Sequence, residues 1–163
     1  MTGKARWFWP LALALLVADC ASKRAVESRL DVGVPTPVVG ETVRFTLSYN
    51  TNAAMGFQLG GQQRRLVLSG LTIAALIVLG LLYHRTRPAD RLRVIGVALV
   101  AGGALGNLMD RVRSAAGVVD FIDVGAGSVR FWTFNVADMG ITVGAILLML
   151  AFGRWGGAAR STG

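Results

Sequence analysis

Four apolar runs divide the chain. Leu66 to Tyr83 holds 18 residues without a charge, Val94 to Met109 holds 16, Met139 to Gly153 holds 15 and Trp7 to Ala18 holds 12. A helix spanning the hydrocarbon core of a bilayer, about 30 Å thick, takes roughly 18 or more apolar residues. The first of these runs reaches that length alone, and the other three must continue past a charged or polar residue. The pattern predicts four transmembrane helices, over about 7–25, 64–84, 92–110 and 136–154. Their extension puts Asp19 at the end of the first helix, Asp110 at the end of the third and Asp138 at the start of the fourth. Successive spans alternate in direction, so these three ends lie on one side, and the loop carrying Asp120 lies there too. Two converging acids beside asparagines suggest acid/base chemistry.

The segments between helices, about 30–57 and 111–135, change period. VRFTLSY, with Thr42 before it, alternates Val43, Phe45, Leu47 and Tyr49 with Thr42, Arg44, Thr46 and Ser48, the period of two of a strand with one covered face. VVDFIDV, then GAGS, then VRFWTF reads as two strands around a Gly-rich turn, with Asp120 in one of them. The expected fold is a mainly α membrane protein, with four transmembrane helices and a small β-sheet on the outer (periplasmic or extracellular) face. Residues 1–163 are expected to form a single integral membrane domain.

Composition agrees with a membrane class: 53% of the 163 residues are hydrophobic, 16% are charged and the mean hydropathy is +0.55. The net charge of +8 is spread over helix ends and loops, which suits a membrane surface and gives no reason to expect nucleic acid. Placing the termini and His84 to Arg93 in the cytoplasm leaves eight Lys/Arg inside and nine outside. The inner eight lie in short stretches near helix ends, and the outer nine share longer segments with eight of the nine acids, so weighting short loops puts both termini inside. The single cysteine, Cys20, excludes an intrachain disulfide. The basic start, short apolar run and cysteine imitate a lipoprotein signal, yet Asp19 stands where a small residue is wanted, and the reading is an uncleaved first helix.

Small residues recur at spacing four, Ala98, Gly102 and Gly106 in the third helix and Gly140 and Gly144 in the fourth. Such stripes allow close backbone approach in lipid. They are expected to join these two helices and to bring Asn107 near Asp138. The polar residues have ordinary readings as well. Asp138 can be a helix cap, Asp120 a strand residue facing water, and Asp110 with Arg111 a solvated pair. Asp19 and Lys23 are four apart, the spacing of a helical ion pair, and are expected to be structural. His84, among arginines, is expected at the surface. No Cys/His cluster has metal-ligand spacing, and no outer serine or cysteine has a histidine to activate it, so neither metal nor cofactor is expected.

The motifs DCASK, YNTNAAMGF, GGALGNLMDR, GVVDF and FNVAD follow one another along the chain. In that order they resemble the bacterial lipoprotein signal peptidases, or signal peptidase II, over nearly the whole length. The resemblance implies Asp120 and Asp138 as a catalytic pair, Asn50, Asn107, Arg111 and Asn135 around the site, and Asp19 with Lys23 in support. It implies an aspartic endopeptidase that removes the signal peptide from diacylglyceryl-modified prolipoproteins, on the amino side of the lipidated cysteine. It further implies a bacterial cytoplasmic (inner) membrane location with the site at the outer leaflet. The expected partners are prolipoprotein substrates and membrane lipid, with the chain a monomer. Three positions depart from the family pattern: Asn52 stands where glycine is usual, Met55 where phenylalanine is usual, and Met139 where a small polar residue is common.

Two other classes compete. A proton- or cation-coupled four-helix transporter would place polar groups at mid-helix, but Leu66 to Tyr83 and Ile141 to Phe152 carry no charge. A non-catalytic membrane subunit would leave the acids dispensable.

Overall fold

The structure, a computed structural model, describes residues 3–51 and 60–158. Asn52 and Met55 lie outside the described residues. Helix α1 runs Ala5–Glu27, strand β1 Pro35–Val39, β2 Val43–Asn50, α2 Gly61–Arg85, α3 Arg91–Arg113, β3 Val118–Ala126, β4 Val129–Arg130 and α4 Val136–Ala158. The fold is mainly helical, with one small antiparallel sheet in the order β1-β2-β3-β4.

Among the described residues, three of the four helices, α2, α3 and α4, are long and apolar enough to cross a membrane. Helix α1 falls short of four matching spans because its apolar run gives way to Asp19, Lys23 and Arg24 in its second half. Two of those charges are nevertheless buried, Asp19 at 0% and Lys23 at 1% exposure.

Helix α3 is the centre, with α1 and α4 packed on it and α2 at the periphery. The sequence pattern placed the small residues of α3 against α4, but the structure divides them by face. Gly102 lies against the Ala12 backbone of α1, and Gly106 against the Asp19 carboxylate of the same helix. Gly103 admits the Ala137 carbonyl of α4, and Gly96 and Gly144 face each other across α3 and α4. Gly140 of α4 meets Leu15 of α1. The physical reason is that α3 touches two neighbours, and the 3.6-residue turn carries adjacent glycines to different ones. Gly106 has a particular consequence, since a Cβ there would collide with Oδ2 of Asp19. Only a residue without a side chain leaves room for that carboxylate.

The sheet caps one end of the bundle. Leu47, Val119 and Phe121 bury their side chains against Val26 at the end of α1, with Phe45, Tyr49 and Val136 around them. This is the covered face expected of β2, with Leu47 its most buried residue. Strand β1 escaped the sequence pattern because its PTPVV is exposed throughout and carries two prolines, a composition suited to a sheet edge. The strand expected from VRFWTF is reduced to the two residues of β4. Trp132 and Thr133 leave the ladder, and the chain rejoins β3 through the Ile122 to Phe134 bridge. Asp123 fastens β2, β3 and β4 by accepting from Arg44 at 2.9 Å, Thr46 at 3.1 Å and Arg130 at 2.8 Å.

Candidate active site

Asp120 and Asp138 meet at Asn135. Strand β3 carries Asp120, paired with Ser48 of β2, and its side chain points into the molecule at 1% exposure. It is therefore no water-facing strand residue. The Nδ2 of Asn135 donates to Oδ1 of Asp120 at 2.6 Å, and the Nδ2 of Asn50 donates to Oδ2 at 2.9 Å. Asp138 opens α4, and Oδ1 accepts from Nδ2 of Asn107 at 2.8 Å. Its Oδ2 accepts from the backbone N–H of Asn135 at 3.3 Å, while its own N–H donates to Oδ1 of Asn135 at 2.9 Å. That reciprocal pair is a capping box on α4. The ordinary reading of Asp138 as a cap thus holds, and the same side chain belongs to the cluster.

Asn107 and Asn135 are joined as well, Nδ2 of Asn135 donating to Oδ1 of Asn107 at 3.1 Å. The same Oδ1 accepts from Nζ of Lys23 at 3.0 Å. With its oxygen held by two donors, Asn107 turns its amide hydrogens toward Asp138. Lys23 also pairs with Asp19 at 2.7 Å and with Asp110 at 2.8 Å. Asp19 reaches across to α4, where its Oδ1 accepts the backbone N–H of Ala137 at 2.9 Å, so a carboxylate from α1 satisfies a first-turn donor of α4.

Asp110 differs from its expected role as half of a solvated pair with Arg111. It is 4% exposed, and it binds Lys23, Arg113 at 3.2 Å and the backbone N–H of Val119 at 3.2 Å. Its partner lies on another helix, and sequence neighbours on a helix point about 100° apart, which is why Arg111 faces elsewhere. Arg111 donates to the backbone oxygen of Asn107 at 3.2 Å and lies within electrostatic reach of Asp138, Asp110 and Asp120. His84 is exposed at the far end of α2.

Burial pushes the Asp120 carboxyl up from 3.8 to about 6. Repulsion by Asp138 adds to the rise, and the hydrogen bonds from Asn50 and Asn135 oppose it. A carboxyl in that range exchanges a proton near neutrality. Beside Asp138 an open, mostly apolar cavity of about 380 Å³ is lined by Phe131, Phe134, Met139, Thr142 and Val143. Met139, 50% exposed, forms part of that wall. Among the described residues no group of three or more His, Cys, Asp or Glu side chains has the arrangement of a metal site.

The family model described as signal peptidase (SPase) II matches residues 11–154. The chain belongs to the signal peptidase II family. It is similar to the lipoprotein signal peptidase of Klebsiella pneumoniae subsp. pneumoniae, 37% identical over 147 residues, covering 89% of this chain and 86% of that one. The lipoprotein signal peptidase of Escherichia coli O1:K1 / APEC is 36% identical, with 89% and 87% covered. A solved bacterial membrane enzyme, determined by the in meso method at 1.9 Å, superposes with a TM-score of 0.77 at 29% identity, over 87% of this chain and 89% of that one. As a member of the signal peptidase II family the chain is a peptidase, and Asp110 is the residue of its polar network that spacing alone did not single out. The signal available was its place in GGALGNLMDR, between Asn107 and Arg111.

Proposed function

We propose that this chain is an aspartic endopeptidase that removes the signal peptide from diacylglyceryl-modified prolipoproteins, with Asp120 and Asp138 as the catalytic pair. The observation that carries the reading is the attachment of both carboxylates to Asn135, one of them with its proton affinity raised to about 6. Two neighbouring carboxylates share one proton, because ionising the second against the first is costly. The ionised member takes a proton from water as the oxygen attacks the scissile carbonyl. The protonated member donates to the developing oxyanion and then helps protonate the leaving amine. Asn50, Asn107 and Asn135 orient the two carboxylates, and Arg111 adds positive charge beside them. Asp19 and Lys23 are supporting residues, tying α1 to α3 and to the first turn of α4.

The same reading gives the chain four spans, one domain over residues 1–163, a monomeric state and a bacterial inner-membrane location. Helix α1 crosses with the rest because two of its late charges, Asp19 and Lys23, are buried in the bundle, where Lys23 meets the carboxylates of Asp19 and Asp110. Both termini are cytoplasmic, and the sheet and the aspartate pair sit at the outer leaflet. The cavity beside Asp138 supports this depth, since its apolar wall lets acyl chains remain in lipid while the peptide bond reaches water.

The purified chain, given a diacylated prolipoprotein and its unlipidated form in detergent, is expected to release the signal peptide from the lipidated one only. Equal cleavage of both would remove the lipid from the recognition.

A further inference from the structure

Two hydroxyl groups lie beside Asp120, outside the network of carboxylates and amides. The register between β2 and β3 slips by one residue between Phe45 and Ser48. Carried on without that slip, it would set Leu47, 2% exposed, opposite Asp120. The bulge puts Ser48 there instead, with Asn50 two residues further along β2. On the other edge of β3 the chain between β4 and α4 returns at the bridge from Phe134 to Ile122, immediately after Thr133. The Ser48 and Thr133 hydroxyl oxygens are 2.9 Å apart, and Oγ of Ser48 donates to the main-chain oxygen of Asp120 at 3.3 Å. A hydroxyl has one hydrogen to give. With that of Ser48 on Asp120, Thr133 is the donor to Ser48.

Asp120 is held by two amides from separate elements, Asn50 of β2 on Oδ2 and Asn135 before α4 on Oδ1. Ser48 precedes the first amide by two residues, and Thr133 precedes the second by two. The linker needs no hydroxyl to stay on β3, because Phe134 and Ile122 exchange backbone bonds at 2.8 and 3.1 Å. Those bonds attach it at one residue, and the hydroxyl pair supplies a second attachment, to β2. Asn50 and Asn135 are thereby set in one frame about the carboxylate. Through the capping box of Asn135, that frame extends to Asp138.

We propose that Ser48 and Thr133 are positioning residues of the peptidase, their hydroxyl pair setting the separation of the two carboxylates by holding Asn50 and Asn135 on the two oxygens of Asp120. The proposal rests on the reading of Asp120 and Asp138 as the catalytic pair. Neither hydroxyl touches a reacting atom in this role. Misplacement by about 1 Å is enough to slow an enzyme on the order of 100-fold, so a slackened frame shows first in the chemical step.

Thr133→Val removes one hydroxyl and keeps the branched shape, and Ser48→Ala removes the other. Assayed on a diacylated prolipoprotein at matched folded concentration, each is expected to lower kcat by about tenfold and to change KM by less than about twofold. The double variant is expected to be no slower than the slower single one, since both break the same link. Thr133→Ser keeps the hydroxyl and is expected to retain kcat. Full kcat in either single variant overturns the proposal, as do losses that multiply in the double variant or an equal loss in Thr133→Ser. Should one variant fail to fold, the other reads the same bond from the opposite side of β3.

A second readout needs no cleavage. The bonds from Asn50 and Asn135 favour the ionised Asp120 carboxyl, so loosening them pushes its pKa up further, with Asp138, Lys23 and Arg111 left in place. The fall in stability that accompanies ionisation of Asp120, read in each background as the difference from Asp120→Asn, is expected to extend to higher pH in Thr133→Val and to stay in place in Thr133→Ser. An unmoved fall in Thr133→Val overturns the proposal. A starting protein that cleaves nothing counts against the peptidase reading, and the titration still decides whether the two hydroxyls hold the carboxyl.

Discussion

The backbone N–H of Asp138 donates to the side-chain oxygen of Asn135 at 2.9 Å, and Asn135 returns its own N–H to the Asp138 carboxylate at 3.3 Å. This exchange fixes the start of α4 and the direction of one carboxylate at once. The Asn135 amide then fixes the second carboxylate, Asp120, at 2.6 Å.

Asn135→Ala removes both functions. Loss of the cap costs about 1 kcal/mol, and the buried carboxyl of Asp120 loses a donor that favours its ionised form. The expected outcome is a lower Tm and a fall in kcat, with the alkaline limb of the kcat/KM profile moved to higher pH. A profile that stays in place would separate Asn135 from the titrating pair.

Asp120 also imposes a pH dependence on stability. Its carboxyl is raised from 3.8 to about 6 by folding, so between those values the folded chain holds a proton that the unfolded chain has lost. Stability from this group is therefore full below about pH 4, falls as pH rises, and reaches its minimum above about pH 6. Asp120→Asn has no such titration. Subtracting its unfolding free energy from that of the starting protein, measured from pH 4 to pH 7, should reveal a decline on the order of 2 to 3 kcal/mol. A flat difference would mean that Asp120 is not desolvated.

Lys23 is almost wholly buried between Asp19 and Asp110 and holds the oxygen of Asn107. Removing one partner from a buried ion group leaves the remaining charges uncompensated, at a cost of about 3 to 5 kcal/mol. Lys23→Ala should lower Tm substantially and weaken cleavage in proportion to the folded fraction. Full thermal stability together with lost turnover would instead move Lys23 into the reacting group.

Much of this arrangement was legible in the sequence because membranes impose length. Runs of 12 to 18 apolar residues gave the helices, and alternation of direction put Asp19, Asp110, Asp120 and Asp138 at one end before any contact was known. Periodicity located β2 for the same reason, since one face of it is covered by α1 and α4. What spacing does not carry is partnership across the fold. Asp110 stands beside Arg111 in the chain yet pairs with Lys23 of another helix, and the glycines of α3 divide between two neighbours. Burial of Asp120 likewise depends on which side of the sheet meets the bundle, and VVDFIDV, apolar on both sides of Asp120, leaves that open.

The central claim is that Asp120 and Asp138 act together on one peptide bond. Cleavage of a diacylated prolipoprotein by the purified chain, measured beside Asp120→Asn and Asp138→Asn at matched folded concentration, tests it most directly. Each substitution removes a group that must accept or donate a proton, so each alone should lower turnover by at least about 100-fold, with both variants inserted in the membrane and folded. Near-normal turnover in either variant would contradict the paired-carboxylate mechanism.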